Sequence, residues 1–172
     1  METKQILGNY YGSYDEDGRL RSRHGMVEFL TTMRYVQKYL APGMRVLEIG
    51  AATGRYSHTL ARQGYRVDAV ELLEHNIEIF KANTLPGEPV TITQGNAVDL
   101  SAFDSGTYDM TLLLGPMYHL FTREDKLAAL SEAIRVTKKG GIVVAAYCMG
   151  DASVLSYGFV RGKIHEIIEK CM

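Results

Sequence analysis

Short runs rich in β-branched and other apolar residues alternate with helical patterns along most of this chain, and that alternation constrains the fold more than any other feature. The runs predict strands at residues 45–49, 66–70, 90–94, 108–114 and 141–146, and the intervals predict helices near residues 54–63, 73–83 and 123–137. Strands that alternate with helices form parallel sheets through right-handed crossovers. The chain is therefore expected to be an α/β protein with a doubly wound, mostly parallel sheet of about five strands.

Other patterns divide the chain into segments around this core. Residues 109–114 and 142–146 are apolar without alternation, which is typical of strands buried on both faces. The interval around residues 100–105 is short and predicts a turn or a brief helix. The 172 residues, 46% of them hydrophobic, suit a single domain. We expect an N-terminal arm and a helix (residues 25–40) within residues 1–41, the α/β core in residues 42–147 and a tail in residues 148–172.

Charge and cysteine usage narrow the classes of partner. The 19 basic and 20 acidic residues leave a net charge of −1, so no bulk attraction to nucleic acid or to an anionic membrane is expected. Cys148 and Cys171 have neither a metal-ligand spacing nor a disulfide framework, and no metal site is predicted. The polar start predicts no secretory leader, and the apolar runs are shorter than the roughly 20 residues of a membrane helix. A cytoplasmic protein is expected.

The turn after the first predicted strand is the natural ligand site of such a sheet. Residues 50–54 read Gly-Ala-Ala-Thr-Gly, and small residues let a ligand approach the backbone closely, although a tight turn alone would also use them. The next residue is Arg55. A phosphate-binding loop would have Lys at this position, and a dinucleotide-binding fold would have a third small residue, so Arg55 argues against both kinds of site. Glu48, two residues before the first glycine, suits a ligand with cationic groups better than a pyrophosphate.

A second acidic residue ends the next predicted strand. Glu71 follows Gly54 by 17 residues, and a carboxylate at that strand end can accept hydrogen bonds from two ribose hydroxyls. The plainer alternative is an exposed glutamate at the start of a helix. The preceding turn favours the ribose role.

The segment Glu48-Ile-Gly50-Ala-Ala52-Thr-Gly54, with Glu71 on the next strand, resembles the signature of class I S-adenosylmethionine (SAM)-dependent methyltransferases. The likeness extends over residues 42–146. Residues 95–100 resemble the family's loop after strand 3, and residues 108–116 resemble its strand-4 motif. Residues 138–141 resemble its turn before strand 5. It implies a Rossmann-like fold, SAM as cofactor and S-adenosylhomocysteine (SAH) as product. The implied cofactor-binding residues are Glu48, Gly50, Ala51, Ala52, Gly54, Glu71, Leu72, Asn96, Ala97 and Leu114, with Asn96 accepting from the adenine amine.

The acceptor side is less constrained, and the resemblance is strongest to bacterial methyltransferases of small molecules. His119 follows the fourth strand and is the candidate catalytic base, because an ordinary His titrates near neutral pH. The alternative is that it caps or packs near the following helix. Tyr118 is a candidate for the acceptor pocket. Tyr10, Tyr11 and Tyr14 are further candidates to close over a cationic centre, or else to pack on the sheet. The other histidines, His58 among them, are expected to be surface or helix residues.

The pattern after strand 5 departs from the family. Two further strands usually follow, whereas here residues 153–160 predict a strand or loop and residues 161–170 a short helix, so the core is expected to be truncated after strand 5. The fifth strand would then be an apolar sheet edge, covered by the tail or paired with a second copy in a homodimer.

The leading hypothesis for the function is methyl transfer to a small-molecule acceptor. A non-catalytic SAM-binding or interaction module is the alternative, and an NAD-linked oxidoreductase is disfavoured by Arg55 and Glu48.

Overall fold

The computed structural model describes residue 18 and residues 22–171. In chain order it contains α1 (Arg23–Tyr39), β1 (Arg45–Ile49), α2 (Arg55–Arg62), β2 (Arg66–Glu71), α3 (Glu74–Asn83), β3 (Val90–Gln94), β4 (Tyr108–Leu113), a 3-10 turn (Pro116–Tyr118), α4 (Arg123–Val136), β5 (Thr137–Ala145), α5 (Gly150–Ser153), a π-helical segment (Val154–Val160) and α6 (Ile164–Cys171). The predicted alternation of strands and helices is confirmed.

The five strands form one parallel sheet in the order β3-β2-β1-β4-β5. The chain moves outward from β1 to β3 and then crosses back to β4, so the order reverses beside β1. Ile49 pairs with Val70 on one side and with Leu113 on the other. The turns that follow β1, β2 and β4 therefore meet at one edge of the sheet. Such a switch point is where open α/β sheets bind their ligands.

The two faces of the sheet are covered by different helices, which makes the sheet doubly wound. On one face, Phe29 and Val36 of α1 and Leu60 of α2 lie in one buried cluster with the strand residues Val46 and Met110. On the other face, Ala129, Ala133 and Val136 of α4 lie with Leu47 and Leu113. Burial on both faces explains why β4 is apolar without alternation. Residues 142–146 share that pattern, but they are only half-buried or exposed, because β5 is an edge strand of the described sheet.

Side-chain oxygens cap the two longest helices at their first turns. The Ser22 hydroxyl accepts from the Gly25 N–H at 3.1 Å, and the Thr122 hydroxyl accepts from the Asp125 N–H at 3.0 Å. These bonds satisfy N–H groups that a helix start leaves without an intrahelical partner. The caps fix where α1 and α4 begin.

Two predictions about the last third of the chain are wrong in part. β5 begins at Thr137, four residues before the predicted start at residue 141, because Thr137 pairs with Tyr108 across an irregularity in the ladder. Its hydroxyl also lies 2.7 Å from that of Thr111, inside the sheet. Residues 153–160 are helical rather than strand or loop. The short interval near residues 100–105 contains turns, as predicted.

Among residue 18 and residues 22–171, no helix is long and apolar enough to cross a membrane. Within the described sheet β5 is an edge strand, and the side chains of Ile142 and Val144 are half-buried. What covers this edge stays a prediction.

Candidate functional site

The turn at residues 50–54, here called the first turn, has a backbone that few residues can adopt. Gly50 and Gly54 have φ of 74° and 91°, and Ala52 has φ of 48°. Three left-handed residues within five positions make a tight loop, which glycine accommodates at two of them and which is strained at Ala52. The N–H groups of Gly50 and Ala51 both donate to the Val70 carbonyl, at 2.8 and 3.0 Å. These bonds tie the first turn to the end of β2.

Glu71 is the residue that connects the first turn to the turn after β2. Its Oε2 accepts from the Ala52 N–H at 2.9 Å, while Oε1 accepts from the Leu73 N–H at 3.0 Å and from Asn76 Nδ2 at 3.2 Å. Glu71 is buried, with 6% of its surface exposed. A carboxylate has about four acceptor positions, so one remains for a ligand hydroxyl. The predicted contact with two ribose hydroxyls stays a prediction.

Glu48 faces the start of α2. Its Oε2 accepts from the Ser57 N–H at 2.9 Å and also from the Ser57 hydroxyl. Gly54, at the N-cap position, has no side chain to cap the helix, so the carboxylate from β1 takes that role. Burial raises the pKa of Glu48 to about 8, with a further contribution from the negative charge of Glu71, while the hydrogen bonds to Ser57 oppose the shift.

The first turn rests on two rings from neighbouring helices. A Cβ atom added to Gly54 would lie 2.4 Å from Cδ2 of Phe80 and 2.7 Å from Cδ2 of His58. The ring centroids of Phe80 and His58 are 4.4 Å apart. His58 was expected to be a surface or helix residue, and it lies in α2 but is buried.

A polar cluster holds His58 from the side. Its Nδ1 lies 3.3 Å from Oε2 of Glu88, and Nε of Arg62 lies 2.9 Å from the other oxygen of that carboxylate. Burial lowers the pKa of His58, and the charge of Glu88 acts in the opposite direction. Through this cluster the loop before β3 is joined to the helix that follows the first turn.

Arg55 lies against α1. Its guanidinium carbon is 4.4 Å from the centroid of the Phe29 ring, and Nη2 is 3.8 Å from the sulfur of Met26. The contact is a cation–π pair that joins α1 to α2. The side chain that argued against a dinucleotide site therefore contributes to helix packing.

The turns after β2 and β3 form one side of the site. The Gly95 N–H donates to the Glu71 carbonyl at 3.0 Å, and Gln94 Nε2 donates to the Leu72 carbonyl at 3.1 Å. Asn96 is exposed and its Oδ1 accepts weakly from the Val98 N–H, at 3.3 Å, while Ala97 is buried. The predicted loop after β3 thus lies beside Glu71, and a contact of Asn96 with an adenine amine stays a prediction.

The segment after β4 forms the opposite side. Pro116–Tyr118 is a 3-10 turn, and a Cβ atom added to Gly50 would lie 2.7 Å from Cδ of Pro116. His119 is half-buried, and its ring is edge-on to that of Tyr118 with the centroids 6.5 Å apart. Burial lowers the pKa of His119, and the charge of Glu71 acts in the opposite direction. The two predicted functional groups therefore lie within electrostatic reach of each other.

Not every predicted site residue can be placed, and some site residues were missed. Tyr10, Tyr11 and Tyr14 lie outside the described residues, so their role stays a prediction. Leu114 is half-buried and directly follows β4, on the predicted edge.

Three residues at the site, Ser57, Asn76 and Pro116, were not predicted as site residues. For Pro116 a signal was available, because proline often opens a helical turn. In the described part of the chain, no group of three or more His, Cys, Asp or Glu side chains is arranged to hold a metal ion.

Comparisons with known proteins agree with this geometry. A family model described as a methyltransferase domain matches residues 46–141. The chain is 33% identical over 107 residues to the S-adenosyl-L-methionine-dependent Diels-Alderase iccD of Talaromyces variabilis, covering 59% of this chain and 35% of that protein. It is 27% identical over 130 residues to the ubiquinone biosynthesis O-methyltransferase of Xanthomonas axonopodis pv. citri, covering 74% and 52%.

A solved structure supports the fold. The PH0226 protein from Pyrococcus horikoshii OT3 has a TM-score of 0.73 and 21% identity, with 86% of this chain and 69% of that chain covered. The chain spans about half or less of the length of the two curated relatives, 52% and 35%.

Proposed function

This chain belongs to the methyltransferase domain family, and from that premise we propose that it binds SAM at the edge formed by β1, β2 and β4 and transfers the methyl group to a small molecule. The observation that carries the proposal is the hydrogen bond from the Ala52 N–H to the Glu71 carboxylate. It joins the glycine-containing first turn to the acidic end of β2, at the switch point of the sheet.

The residues at this edge fit the cofactor in charge and in shape. Glu71, which has one acceptor position left, suits a ligand with ribose hydroxyls better than a pyrophosphate. Glu48 caps α2 and has a pKa of about 8, so it adds little negative charge at pH 7. The left-handed glycines let the first turn fold tightly against Pro116, Phe80 and His58, which holds its backbone at the carboxyl ends of the strands. The names of the relatives support the same cofactor, since the Diels-Alderase of Talaromyces variabilis is described as S-adenosyl-L-methionine-dependent.

Methyl transfer requires this chain to position an acceptor and, where the acceptor is a hydroxyl or an ammonium, to remove a proton. When bound, SAM supplies an electrophilic methyl group on a sulfonium, so alignment and exclusion of water supply much of the acceleration. His119 acts as the base for a hydroxyl or ammonium acceptor, because its lowered pKa keeps it neutral at pH 7. Tyr118 lines the acceptor side beside it.

The relatives also favour a second candidate function. The likeness to a protein named as a SAM-dependent Diels-Alderase supports a site that binds SAM without transferring its methyl group, in line with the non-catalytic alternative from the sequence. The acceptor, the cytoplasmic location and a homodimer through the β5 edge stay predictions.

Calorimetric titration with SAM, SAH and NADH tests the cofactor assignment. We expect SAM and SAH to bind and NADH not to bind; a protein that binds neither SAM nor SAH contradicts the proposal. Release of SAH is then measured with a panel of amines, phenols and carboxylates. Turnover supports methyl transfer, whereas tight binding of SAM without SAH release across the panel supports the second candidate.

A further inference from the structure

The first turn and the segment after β4 are packed against each other at two glycines, one in each of them. A Cβ atom on Gly50 would lie 2.7 Å from Cδ and 2.8 Å from Cγ of Pro116, and a Cβ atom on Gly115 would lie 3.2 Å from the Gly50 carbonyl oxygen. Gly50 has φ of 74°. Its backbone therefore approaches Pro116 through space that any side chain would fill.

The same proline also holds the backbone of the predicted base. The N–H groups of His119 and Leu120 donate to the Pro116 carbonyl, at 2.9 and 3.1 Å, and the Tyr118 N–H donates to the Gly115 carbonyl at 3.2 Å. Proline fixes its own φ near −65°, and the two N–H groups that donate to its carbonyl hold that carbonyl in place. One residue thus touches the first turn with its ring and positions His119 with its carbonyl.

We propose that Pro116 is a positioning residue that couples the first turn to His119, so that a cofactor bound at the turn orders the backbone of residues 118–120. The inference rests on the proposed function, because it needs SAM or SAH at the first turn. Close-packed contacts transmit a displacement, whereas a gap would absorb it. The coupling is reciprocal: an ordered segment after β4 also favours binding of the cofactor.

The backbone of the first turn makes it suited to respond to a ligand. Ala52 is the one non-glycine among its left-handed residues, and this costly conformation must be held by the surroundings. Glu71 holds Ala52 from the β2 side, and Pro116 contacts Gly50 from the β4 side. A ligand that stabilises the turn therefore also stabilises the position of the Pro116 ring.

Hydrogen exchange of the backbone amides, with SAH as the probe, tests the coupling without any turnover. In the wild type we expect SAH to slow exchange of the His119 and Leu120 amides by about fivefold or more. In Pro116→Ala the slowing should fall below about twofold, and because the coupling is reciprocal the Kd for SAH should rise, by no more than about fivefold. Pro86→Ala, an exposed proline in the turn before β3, is the matched control and should keep the full effect.

The possible outcomes separate the two proposals. Failure of the wild type to bind SAH overturns the proposed function and this coupling with it. Binding of SAH without slowed exchange at His119 and Leu120, or with equal slowing in Pro116→Ala, overturns the coupling alone. A Pro116→Ala protein that loses SAH binding together with its melting temperature also overturns it, because the proline would then be merely structural.

A double-mutant cycle tests the contact itself. Gly50→Ala places a methyl group where the Pro116 ring lies, and Pro116→Ala removes the two ring atoms that it would meet. The backbone strain at Gly50 is the same in both backgrounds. We therefore expect Gly50→Ala to weaken SAH binding about threefold less in the Pro116→Ala background than in the wild type. Equal losses in the two backgrounds would contradict a direct contact.

Discussion

The Glu48 carboxylate accepts a hydrogen bond from the Ser57 N–H at 2.9 Å, and in this way a residue of β1 caps the helix that follows the first turn. Glu48 is 2% exposed. Gly54 occupies the N-cap position because the turn needs its left-handed backbone, and a glycine has no side-chain oxygen to accept from the N–H groups at the start of the helix. Glu48 therefore supplies the hydrogen-bond acceptor that Gly54, the residue the turn requires, cannot supply to the helix.

The burial of Glu48 predicts a pH-dependent stability. Its pKa of about 8 in the folded protein lies above the ordinary value of 4.5, so its contribution to stability is fully present below pH 4.5 and is lost as the pH rises through 8. Relative to Glu48→Gln, the wild type should lose on the order of 3 kcal/mol of unfolding free energy between pH 5 and pH 8. Urea unfolding across this range measures it. Parallel pH profiles for the two proteins would show that the buried carboxyl does not titrate there.

Glu71→Gln is expected to weaken SAM binding. The substitution keeps the size of the side chain but replaces one acceptor oxygen by an NH₂ group, which faces N–H donors such as that of Ala52. Loss of hydrogen bonds to a charged partner costs about 1–3 kcal/mol, so the Kd measured by calorimetry should rise about tenfold or more. The exposed Glu78 on α3 is the matched control, and Glu78→Gln should leave the Kd unchanged. An unchanged affinity in Glu71→Gln would mean that the ribose lies elsewhere.

His119→Asn is expected to slow methyl transfer without changing cofactor affinity. Because burial lowers the pKa of His119 below the ordinary 6.5, the wild-type rate should rise with pH, with its midpoint below 6.5, and be flat above pH 7. The variant should lose this inflection and about a hundredfold in rate, measured as SAH release with an acceptor from the panel. His75→Asn, on the exposed surface of α3, is the control. A variant with the full rate and profile would assign the base to another group.

Strands that are buried in the sheet could be predicted from the sequence. Strand bounds that depend on contacts with distant residues were predicted less well. The predicted bounds of β1 and β3 are confirmed, since their patterns are set by burial and by clear turns. The start of β5 was missed because residues 138–141 read Lys-Lys-Gly-Gly, which has little strand propensity. The Lys138 ammonium instead pairs with Asp109 at 2.7 Å, a partner that lies 29 residues away. The helix predicted at residues 161–170 is present as α6, whereas the helical residues 153–160 were missed because local propensity is a weak guide.

The position of the candidate site could be predicted from the sequence, but its hydrogen bonds and packing contacts could not. Glu71 lies at the predicted edge because a parallel sheet brings its strand ends together. Its bond to the Ala52 N–H depends on the left-handed backbone of Ala52, which composition does not reveal. His58 has a helical pattern around it, but periodicity alone did not indicate that its ring would lie under Gly54. Pro116 had no predicted partner because its contact joins two turns that are distant in sequence.

Two glycines that flank α2 separate the cost of backbone strain from the cost of lost space. Gly54 and Gly64 both have φ of 91°, but a Cβ atom on Gly64 meets nothing within 4 Å, whereas one on Gly54 would lie 2.4 Å from the Phe80 ring. Gly64→Ala should therefore lose about 1–2 kcal/mol of unfolding free energy, the cost of a left-handed residue. Gly54→Ala should lose about 1–3 kcal/mol more, from overpacking. It should also weaken SAM binding, because the first turn must move, while Gly64→Ala leaves the Kd unchanged. Equal losses of stability in the two variants would mean that the Phe80 and His58 rings move aside freely, and the first turn would then not depend on them for its position.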